Sequence, residues 1–398
     1  MPILCASSVS SVTLWFFHRH EPQDATMQKR NITIITGTRA EFGIWTPVLR
    51  ALATSKKLRP QLLVTGMHLQ KQFGYTINDI KKSGIPIAAT AEMYKPRDTP
   101  ADSLARGTQT VGRALEKLKP DLVMLLGDRL EMLAAANAAL ALQLPIAHLH
   151  GGETAPGQWD EQIRHAITKL AHLHFPATKR AAQRIQQMGE DPKRIHVIGA
   201  PALDGIMQWQ EDTRPAPSRG KRAIVLLHPT SADERVEEKR ARMVIEAVRS
   251  RPGIPYVTIG PNNDPGCNGI LRAYEKMGVK VAMSLPTANF WIHLKAGGVL
   301  VGNSSSGIIE AASFGIPVVN IGERQAGRER NANLVDVPWS TGTAGIKWAI
   351  QHATTNKEFL ARVAQRQNLY GDGHAAERLR KILEAQRFPL PTTKQFHD

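Results

Sequence analysis

Short apolar runs alternate with amphipathic stretches along most of the chain, and this alternation begins at about Lys29. The first half contains the strand-like runs NITIIT, QLLVT, IPIAATAEM, DLVMLLG and LPIAHL. Each run is short enough for a buried strand. Segments with helical periodicity, such as the one from Ala101 to Leu118, separate the runs. Alternating strands and helices at this spacing predict a parallel, doubly wound sheet.

A second series of the same kind follows a polar, proline-containing segment at residues 206–222, which we interpret as a linker. Its strand-like runs are AIVLLHPT, IPYVTIGP, VKVAMSL, GGVLVGNS and IPVVNIG. The predicted fold class is therefore α/β, with two Rossmann-like domains, residues 29–205 and 223–374, facing a cleft. Residues 375–398 hold a charged amphipathic helix that we expect to pack back across the domains. Residues 1–28 read as a flexible extension without the basic start of a secretory signal.

Composition narrows the class of protein. A chain of 398 residues is longer than one ordinary hydrophobic core accommodates, so we expect two domains. Its share of hydrophobic residues, 42%, is normal for globular domains. Since no apolar run reaches the roughly 18 residues of a spanning helix, we expect no membrane partner. Cys5 and Cys267 lie far apart, which suits a reducing, cytoplasmic location. The 14 histidines show no metal-binding spacing, so we expect neither a metal nor another cofactor.

The formal net charge of +16 indicates contact with anions. Nucleic acid is one such partner, but the basic residues are dispersed and form no helix-turn-helix or RRM-like motif. A small phosphorylated substrate accounts equally well for convergent arginines. We therefore expect a small-molecule partner and no nucleic acid.

Ionisable residues cluster where two strands of the first half end. They are Asp128, Arg129, His150, Glu153, Asp160 and Arg164. Unpaired charges beside buried strands are costly, and α/β enzymes carry their sites at strand ends. The alternative for any one of these residues is a helix cap or a surface ion pair. As a group they predict one wall of a catalytic cleft.

A loop of small residues, Gly302 to Gly307, follows a strand of the second half and leads into a helix. Small side chains let a pyrophosphate approach backbone N–H groups, and the hydroxyls of Ser304, Ser305 and Ser306 add donors. Glu310 lies one helical turn further on, where a carboxylate can accept hydrogen bonds from a ribose diol. The alternative is a cluster of helix-capping serines.

Three further residues lie beside predicted strands. Arg39 follows the first strand near a helix N-terminus, a favourable place for an anion. Arg324 belongs to a basic segment after the last predicted strand, which is either a phosphate contact or a solvated loop. His228 ends the first strand of the second half, and it is either structural or faces the carboxylates across the cleft.

The motifs occur in a recognisable order: TGTRAEFG, LLGDRLE, PIAHLHGGE, DEQIRHAITKLAHLHF, VIGAPALD, LLHPT and GNSSSGIIEAASFGIPVVNIGERQAGRE. From about Lys29 to Arg387 the chain resembles the UDP-N-acetylglucosamine 2-epimerase family, in particular its hydrolysing branch. The resemblance implies a glycosyltransferase-B-like fold, with UDP bound mainly by the second domain, and a homodimer. It also implies conversion of UDP-GlcNAc and water to ManNAc and UDP, through elimination to a glucal and hydration, for sialic-acid-type synthesis.

Other reactions remain open within this resemblance. A UDP-2,4-diacetamido-trideoxyhexose suits the same C1–C2 chemistry. A non-hydrolysing epimerase would return UDP-ManNAc, and a glycosyltransferase of the same fold would need an acceptor. The segments HGGE and DEQIRHAITKLAHLHF favour the hydrolysing branch.

The resemblance also implies roles for single residues. Asp128 and His228 match catalytic positions, and Asp160 with Arg164 matches a carboxylate–arginine pair. The positions that match the nucleotide site are Arg39, Ser304, Ser305, Glu310 and Arg324. Arg129 follows its aspartate as in relatives, and we expect it to bind substrate.

One departure from the family pattern affects the catalytic assignment. Many relatives carry a catalytic glutamate in an H-x-E-[GA]-G pattern, and here that position is His150. We favour the nearest acid, Glu153, as its replacement and assign His150 to the substrate site. An imidazole can also transfer protons near neutral pH, so His150 is the alternative. Asp160 is preferred to its neighbour Glu161 because of its spacing from Arg164.

Overall fold

Two six-stranded parallel sheets contain the strands of the described part of the chain. The structure, a computed structural model, describes residues 29–71, 74–154, 159–212, 222–251, 254–262, 264–283 and 285–398. The predicted N-terminal extension lies outside these ranges. No helix within them is both long and apolar enough to cross a membrane.

The first sheet has the order β3-β2-β1-β4-β5-β6. Its strands are β1 (Arg30–Thr36), β2 (Leu58–Thr65), β3 (Ile87–Ala91), β4 (Leu122–Leu126), β5 (Ile146–Leu149) and β6 (Leu173–Phe175). The accompanying helices are α1 (Arg39–Ala53), α2 (Ile77–Lys82), α3 (Pro100–Leu118), α4 (Leu130–Ala141), α5 (Asp160–Leu170), α6 (Lys179–Gln187) and α7 (Ala202–Asp212). Helices on both faces bury β4 and β5 completely, which explains why these strands are apolar runs without alternation.

The second sheet repeats this topology in the order β12-β11-β10-β7-β8-β9. Its strands are β7 (Ala223–Leu226), β8 (Tyr256–Ile259), β9 (Val281–Ala282), β10 (Val299–Gly302), β11 (Val318–Ile321) and β12 (Leu334–Val337). The remaining helices are α8 (Glu234–Arg249), α9 (Cys267–Lys276), α10 (Thr287–Ala296), α11 (Ser305–Ile309), α12 (Ala311–Phe314), α13 (Gly342–Thr355), α14 (Lys357–Ala364) and α15 (Ala375–Ala385). The predicted fold class, with two Rossmann-like α/β units, is confirmed.

Helix α7 extends into the segment predicted as a linker, since residues 206–212 are helical and Ile206 is buried. Residues 213–221 lie outside the described part of the chain. Helix α15 returns to the first half, where Leu379 and Leu383 join the core that contains β1. Asp204 accepts hydrogen bonds from the backbone N–H groups of Ala375 (2.9 Å) and Ala376 (2.6 Å), which holds the start of α15 beside α7.

Two fully buried histidines belong to the first core. His68 has a ring nitrogen 3.1 Å from Thr36 Oγ1 and the other 2.8 Å from Thr76 Oγ1. His148 Nε2 lies 2.8 Å from the carbonyl oxygen of Gly127. Burial lowers the pKa of His68 to about 4 and that of His148 to about 3, so both rings are neutral at pH 7.

We expect acid to destabilise the protein through these histidines. In the unfolded chain each ring takes up a proton below its ordinary pKa of 6.5, whereas the folded rings stay neutral down to about 4 and 3. Their contribution is therefore fully present above pH 6.5 and is lost as the pH falls, by about 2 kcal/mol per ring at pH 5. Urea denaturation at pH 7.5, 6 and 5 measures this loss. The variant His68→Gln should show a shallower dependence; an unchanged slope would contradict the assignment to His68.

Candidate active site

The predicted motifs lie at equivalent places in the two sheets. In sheets with this strand order, a crevice opens where the direction of strand addition reverses, outside the carboxyl ends of the two central strands. In the first sheet these are β1 and β4, followed by Gly37–Glu41 and Gly127–Arg129. In the second sheet they are β7 and β10, followed by His228 and by Asn303 with the serine loop.

The turn after β1 is held by a capping box. Thr38 caps α1, and the Glu41 carboxylate accepts hydrogen bonds from the N–H groups of Gly37 (2.7 Å) and Thr38 (3.1 Å). Arg39 is the exposed first residue of α1. The predicted arrangement, with a guanidinium at the N-terminus of the helix, is thus present at the edge of the crevice.

A buried pair of carboxylates surrounds Arg129, and the sequence motifs did not predict it. Arg129 Nε lies 3.3 Å from Glu131 Oε2 and 3.9 Å from Glu41 Oε1. Burial, and then the charge of Glu131, raise the pKa of Glu41 to about 8. A Cβ atom on Gly37 would lie 2.8 Å from Glu131 Cγ, which explains the glycine at that position. In the sequence, the spacing between Thr38 and Glu41 is typical of a capping box, and this spacing could have predicted a structural role for Glu41.

Arg164 is the central cation of the first half, with only 2% of its side chain exposed. Its Nη2 forms a salt bridge with Asp128. Its Nη1 donates to Glu161 Oε2 at 2.8 Å and to the backbone carbonyl of Glu153 at 2.9 Å. Arg164 thus bonds to Glu161. The preference for Asp160 as the site residue stays a prediction, because adjacent carboxylates at a helix start cannot be ranked by spacing alone.

Asp160 interacts electrostatically with Asp128 and with Asp264 of the second half. Burial, followed by the charge of Asp128, raises the pKa of Asp160, while Arg164 and Arg129 oppose the shift. The charges of Asp160 and Arg324 also influence each other across the cleft. Asp160 therefore binds a proton more readily than an ordinary aspartate, as a general acid must.

His150 and Glu153 form a contact pair beyond β5. His150 Nδ1 lies 2.5 Å from Glu153 Oε1, and Glu153 Oε2 lies 3.7 Å from Arg328 Nε of the second half. Burial opposes ionisation of Glu153, but the charges of His150, Arg328 and Arg164 outweigh it and lower its pKa to about 2. Thr154 Oγ1 donates to the carbonyl of Gly327 at 2.8 Å, so this segment joins the two halves.

His228 is oriented by Asn303 and Asn262. Its backbone N–H donates to Asn303 Oδ1 at 2.7 Å, and Asn303 Nδ2 donates to its carbonyl at 2.8 Å. The backbone N–H of Asn262 donates to His228 Nδ1 at 3.0 Å, so the neutral ring carries its proton on Nε2. Burial, followed by the charge of Arg324, lowers the pKa of His228 to about 3. The ring is therefore a neutral hydrogen-bond donor at the end of β7.

The serine loop follows β10 at the second switch point. Ser304 caps α11 by accepting a hydrogen bond from the N–H of Ser306 at 3.4 Å, with Ser305 as the first helical residue. Gly307 packs on the sheet, since a Cβ atom there would lie 3.0 Å from Val318 Cγ1. Ser304 thus has the helix-capping role that the sequence offered as an alternative to phosphate binding.

Two charged residues accompany the serine loop. Arg324 Nη1 donates to the carbonyl of Asn303 at 3.4 Å, and its Nη2 lies 3.8 Å from Asp264 Oδ2. Glu310 Oε2 accepts a hydrogen bond from Trp291 Nε1 at 3.0 Å, a contact that the motifs did not predict. Burial raises the pKa of Glu310. Within the described ranges, no three His, Cys, Asp or Glu side chains group as metal ligands.

These features define the class of the protein: two Rossmann-like domains of the glycosyltransferase-B type, with ionisable side chains at one switch point and a small-residue loop at the other. The chain belongs to the UDP-N-acetylglucosamine 2-epimerase family, whose model matches residues 50–384. The predicted family is thereby confirmed.

Relatives extend over most of the chain. The UDP-N,N'-diacetylbacillosamine 2-epimerase (hydrolyzing) of Legionella pneumophila is 37% identical over 373 residues, covering 89% of this chain and 96% of that protein. The UDP-N-acetylglucosamine 2-epimerase of Neisseria meningitidis serogroup B is 33% identical over 345 residues, covering 83% and 89%.

The fold has a counterpart in a crystal structure of the UDP-GlcNAc 2-epimerase from Neisseria meningitidis bound to UDP-GlcNAc. The TM-score is 0.77 at 18% sequence identity, covering 89% of this chain and 100% of that chain. The predicted glycosyltransferase-B-like fold is confirmed by this similarity.

Proposed function

We propose that the protein is a hydrolysing 2-epimerase that converts a UDP-linked 2-acetamido sugar and water to UDP and the free sugar with inverted C2. This proposal rests on one observation: acid/base side chains are found near the first switch point, and groups that can bind a diphosphate are found near the second. Asp128 lies at the first, with Asp160 and the His150–Glu153 pair beyond the neighbouring strand β5. The serine loop lies at the second, where Arg324 contacts the carbonyl of Asn303.

The reaction explains why both groups are needed. The C2 proton is weakly acidic, so elimination requires a positioned base, and return of a proton to the other face requires a second group. Cleavage of the C1–O bond develops oxocarbenium character, which nearby carboxylates such as Asp128 stabilise. The departing diphosphate requires donors and cations, which Ser304 to Gly307 and Arg324 would supply. Arg39, Glu310 and the Nε2–H of His228 complete the proposed UDP site.

The two relatives support two different UDP-sugars as the substrate. The Legionella relative supports the hydrolysing reaction and a UDP-2,4-diacetamido-trideoxyhexose as substrate. The Neisseria relative supports UDP-GlcNAc, which the motifs alone favoured. We place the diacetamido sugar first because the Legionella relative is the more similar of the two. A role in sialic-acid-type synthesis, a homodimer and a cytoplasmic location remain predictions.

Incubation with each UDP-sugar in water tests the proposal. UDP release is followed by a coupled assay, and the sugar product by NMR of its anomeric protons. We expect stoichiometric UDP and a free sugar inverted at C2. A UDP-linked C2 epimer without free sugar would show a non-hydrolysing epimerase. Absence of turnover with both sugars until an acceptor is added would show a glycosyltransferase.

The proposed diphosphate contact makes a binding prediction. Replacing Arg324 by alanine should weaken UDP binding about 10–100-fold, because a charge-assisted hydrogen bond contributes about 1.5–3 kcal/mol. Isothermal titration with UDP measures the change. The matched control is Arg272→Ala, which removes an arginine that forms a surface salt bridge with Glu234 on α8. Equal affinities of the Arg324→Ala variant and the wild type would exclude Arg324 from the UDP site.

A further inference from the structure

The His150–Glu153 contact fixes which ring nitrogen carries the proton. A carboxylate only accepts hydrogen bonds, so the 2.5 Å contact between Glu153 Oε1 and His150 Nδ1 places a proton on Nδ1. In the neutral ring Nε2 then holds a lone pair. The arrangement resembles the general form of an imidazole base oriented by a carboxylate.

Glu153 itself is poorly placed to exchange protons with a substrate. Both of its carboxylate oxygens face a cation or the imidazole: Oε1 contacts His150 and Oε2 lies 3.7 Å from Arg328 Nε. Its backbone carbonyl accepts a hydrogen bond from Arg164. These contacts lower its pKa to about 2, which makes it a weak base and a rare acid near pH 7.

Two features of His150 are unfavourable for the stability of the fold. Its Nε2 is shielded from water and has no hydrogen-bond partner among the described residues. A buried group of this kind without a hydrogen-bond partner is destabilising. In addition, its backbone φ is 60°, an unfavourable left-handed conformation for a residue other than glycine. Both costs lie at the carboxyl end of β5, the edge of the sheet that carries Asp128.

We infer that His150 Nε2 is the base that removes the C2 proton of the sugar, and that Glu153 is a positioning residue that orients the ring. This inference rests on the proposed function. It reverses the roles that the motifs favoured, in which Glu153 was catalytic and His150 only bound substrate. It also explains how the chain functions without a glutamate at position 150.

The proton balance follows from the elimination. His150 Nε2 takes the C2 proton, the electrons of the C–H bond form the C1=C2 double bond, and the C1–O electrons leave with UDP. The imidazolium is stabilised by the Glu153 carboxylate and later releases its proton to solvent. In the second step Asp160 in its protonated form protonates C2 from the other face. Water adds its oxygen to C1 and its proton restores that acid.

The test uses two single variants and a matched control. His150→Asn should lower kcat by about 10²–10⁴-fold with little change in KM, because it removes the base but not the binding contacts. Glu153→Gln should reduce kcat less. Its acid limb of kcat/KM should move to lower pH, because the imidazolium loses a stabilising negative charge.

The charged groups that remain around the pair are common to all variants. They are Arg328 and Glu329 from the second half, Arg164 from α5 and Arg184 from α6. The control is Glu190→Gln, which removes the negative charge from the buried contact of 2.9 Å between Glu190 Oε2 and His174 Nε2. We expect this variant to lose thermal stability but to keep the wild-type kcat and acid limb.

A rescue variant distinguishes chemistry from structure. His150→Glu combined with Glu153→Gln restores the acid that many relatives carry at position 150 without creating a pair of like charges. We expect it to recover at least about tenfold over His150→Asn, with an acid limb below that of the wild type. The inference is overturned if His150→Asn keeps turnover within about threefold of the wild type. It is also overturned if Glu153→Gln alone abolishes turnover.

A readout that does not depend on turnover separates this inference from the proposed function. Nitrogen-15 NMR of the histidine-labelled protein reports the tautomer of His150, and His150→Asn assigns the signal. We expect the neutral form of the ring to carry its proton on Nδ1, and a neutral form protonated on Nε2 would overturn the inference even in an active enzyme. If the wild type releases UDP from neither sugar, the proposed function fails, whereas the NMR result still decides whether the pair exists as described.

Discussion

Replacing Asp128 by asparagine is expected to lower kcat by about 10²–10⁴-fold, with the fold retained. Asp128 follows β4 at the first switch point and forms a salt bridge with the buried Arg164. Asparagine keeps the size of the side chain but neither carries the charge that stabilises an oxocarbenium ion nor exchanges a proton. The loss should therefore appear in kcat rather than in KM.

The matched control for this prediction is Asp121→Asn, at the opposite end of the same strand. Asp121 Oδ2 accepts a hydrogen bond of 2.7 Å from the backbone N–H of Asn31, away from the carboxyl edge of the sheet. Its kcat should stay within about threefold of the wild type. Initial rates of UDP release and melting temperatures are compared for both variants. An Asp128→Asn enzyme that is as active as the control would remove Asp128 from the mechanism.

Replacing Arg164 by methionine is expected to lower both stability and activity. The guanidinium is 2% exposed and joins Asp128 beyond β4, the carbonyl of Glu153 beyond β5, and Glu161 on α5. Its removal leaves three acceptors without their cation, and breaking a buried ion pair of this kind costs about 3–5 kcal/mol. Because Asp128 and Glu161 are partly exposed, we expect the lower end of this range.

Urea denaturation measures the free energy of unfolding, and UDP release measures activity, for Arg164→Met and Arg164→Lys. Lysine keeps the charge but not the planar fork that serves several acceptors, so its stability should lie between those of methionine and the wild type. If methionine changes the free energy of unfolding by less than about 1 kcal/mol, the network around Arg164 does not stabilise the fold.

The fold and the location of the site were predictable because both depend on order along the chain. Apolar runs separated by helical periodicity indicate parallel strands, and the carboxyl ends of such strands define where Asp128, His228 and Ser304 must lie. Strand β12 escaped prediction because its short run is interrupted by Asp336, which is exposed at the edge of the sheet.

The contacts within the site were not predictable in the same way. Whether Arg164 pairs with Asp160 or Glu161 depends on side-chain geometry at the start of one helix. The approach of Arg328 to Glu153 depends on how two separately folded sheets face each other. Sequence spacing carries no information on either, and so the relative roles of His150 and Glu153 changed only when distances were known.

The return of helix α15 to the first core affects how the protein is made. Leu379 and Leu383 pack with strands that leave the ribosome more than half a chain length earlier. The second sheet is contained in one uninterrupted segment and can fold during synthesis, whereas the first core waits for its last helix. A released chain that ends before residue 375 should therefore hold a native second domain beside a first domain that still exposes apolar surface to chaperones.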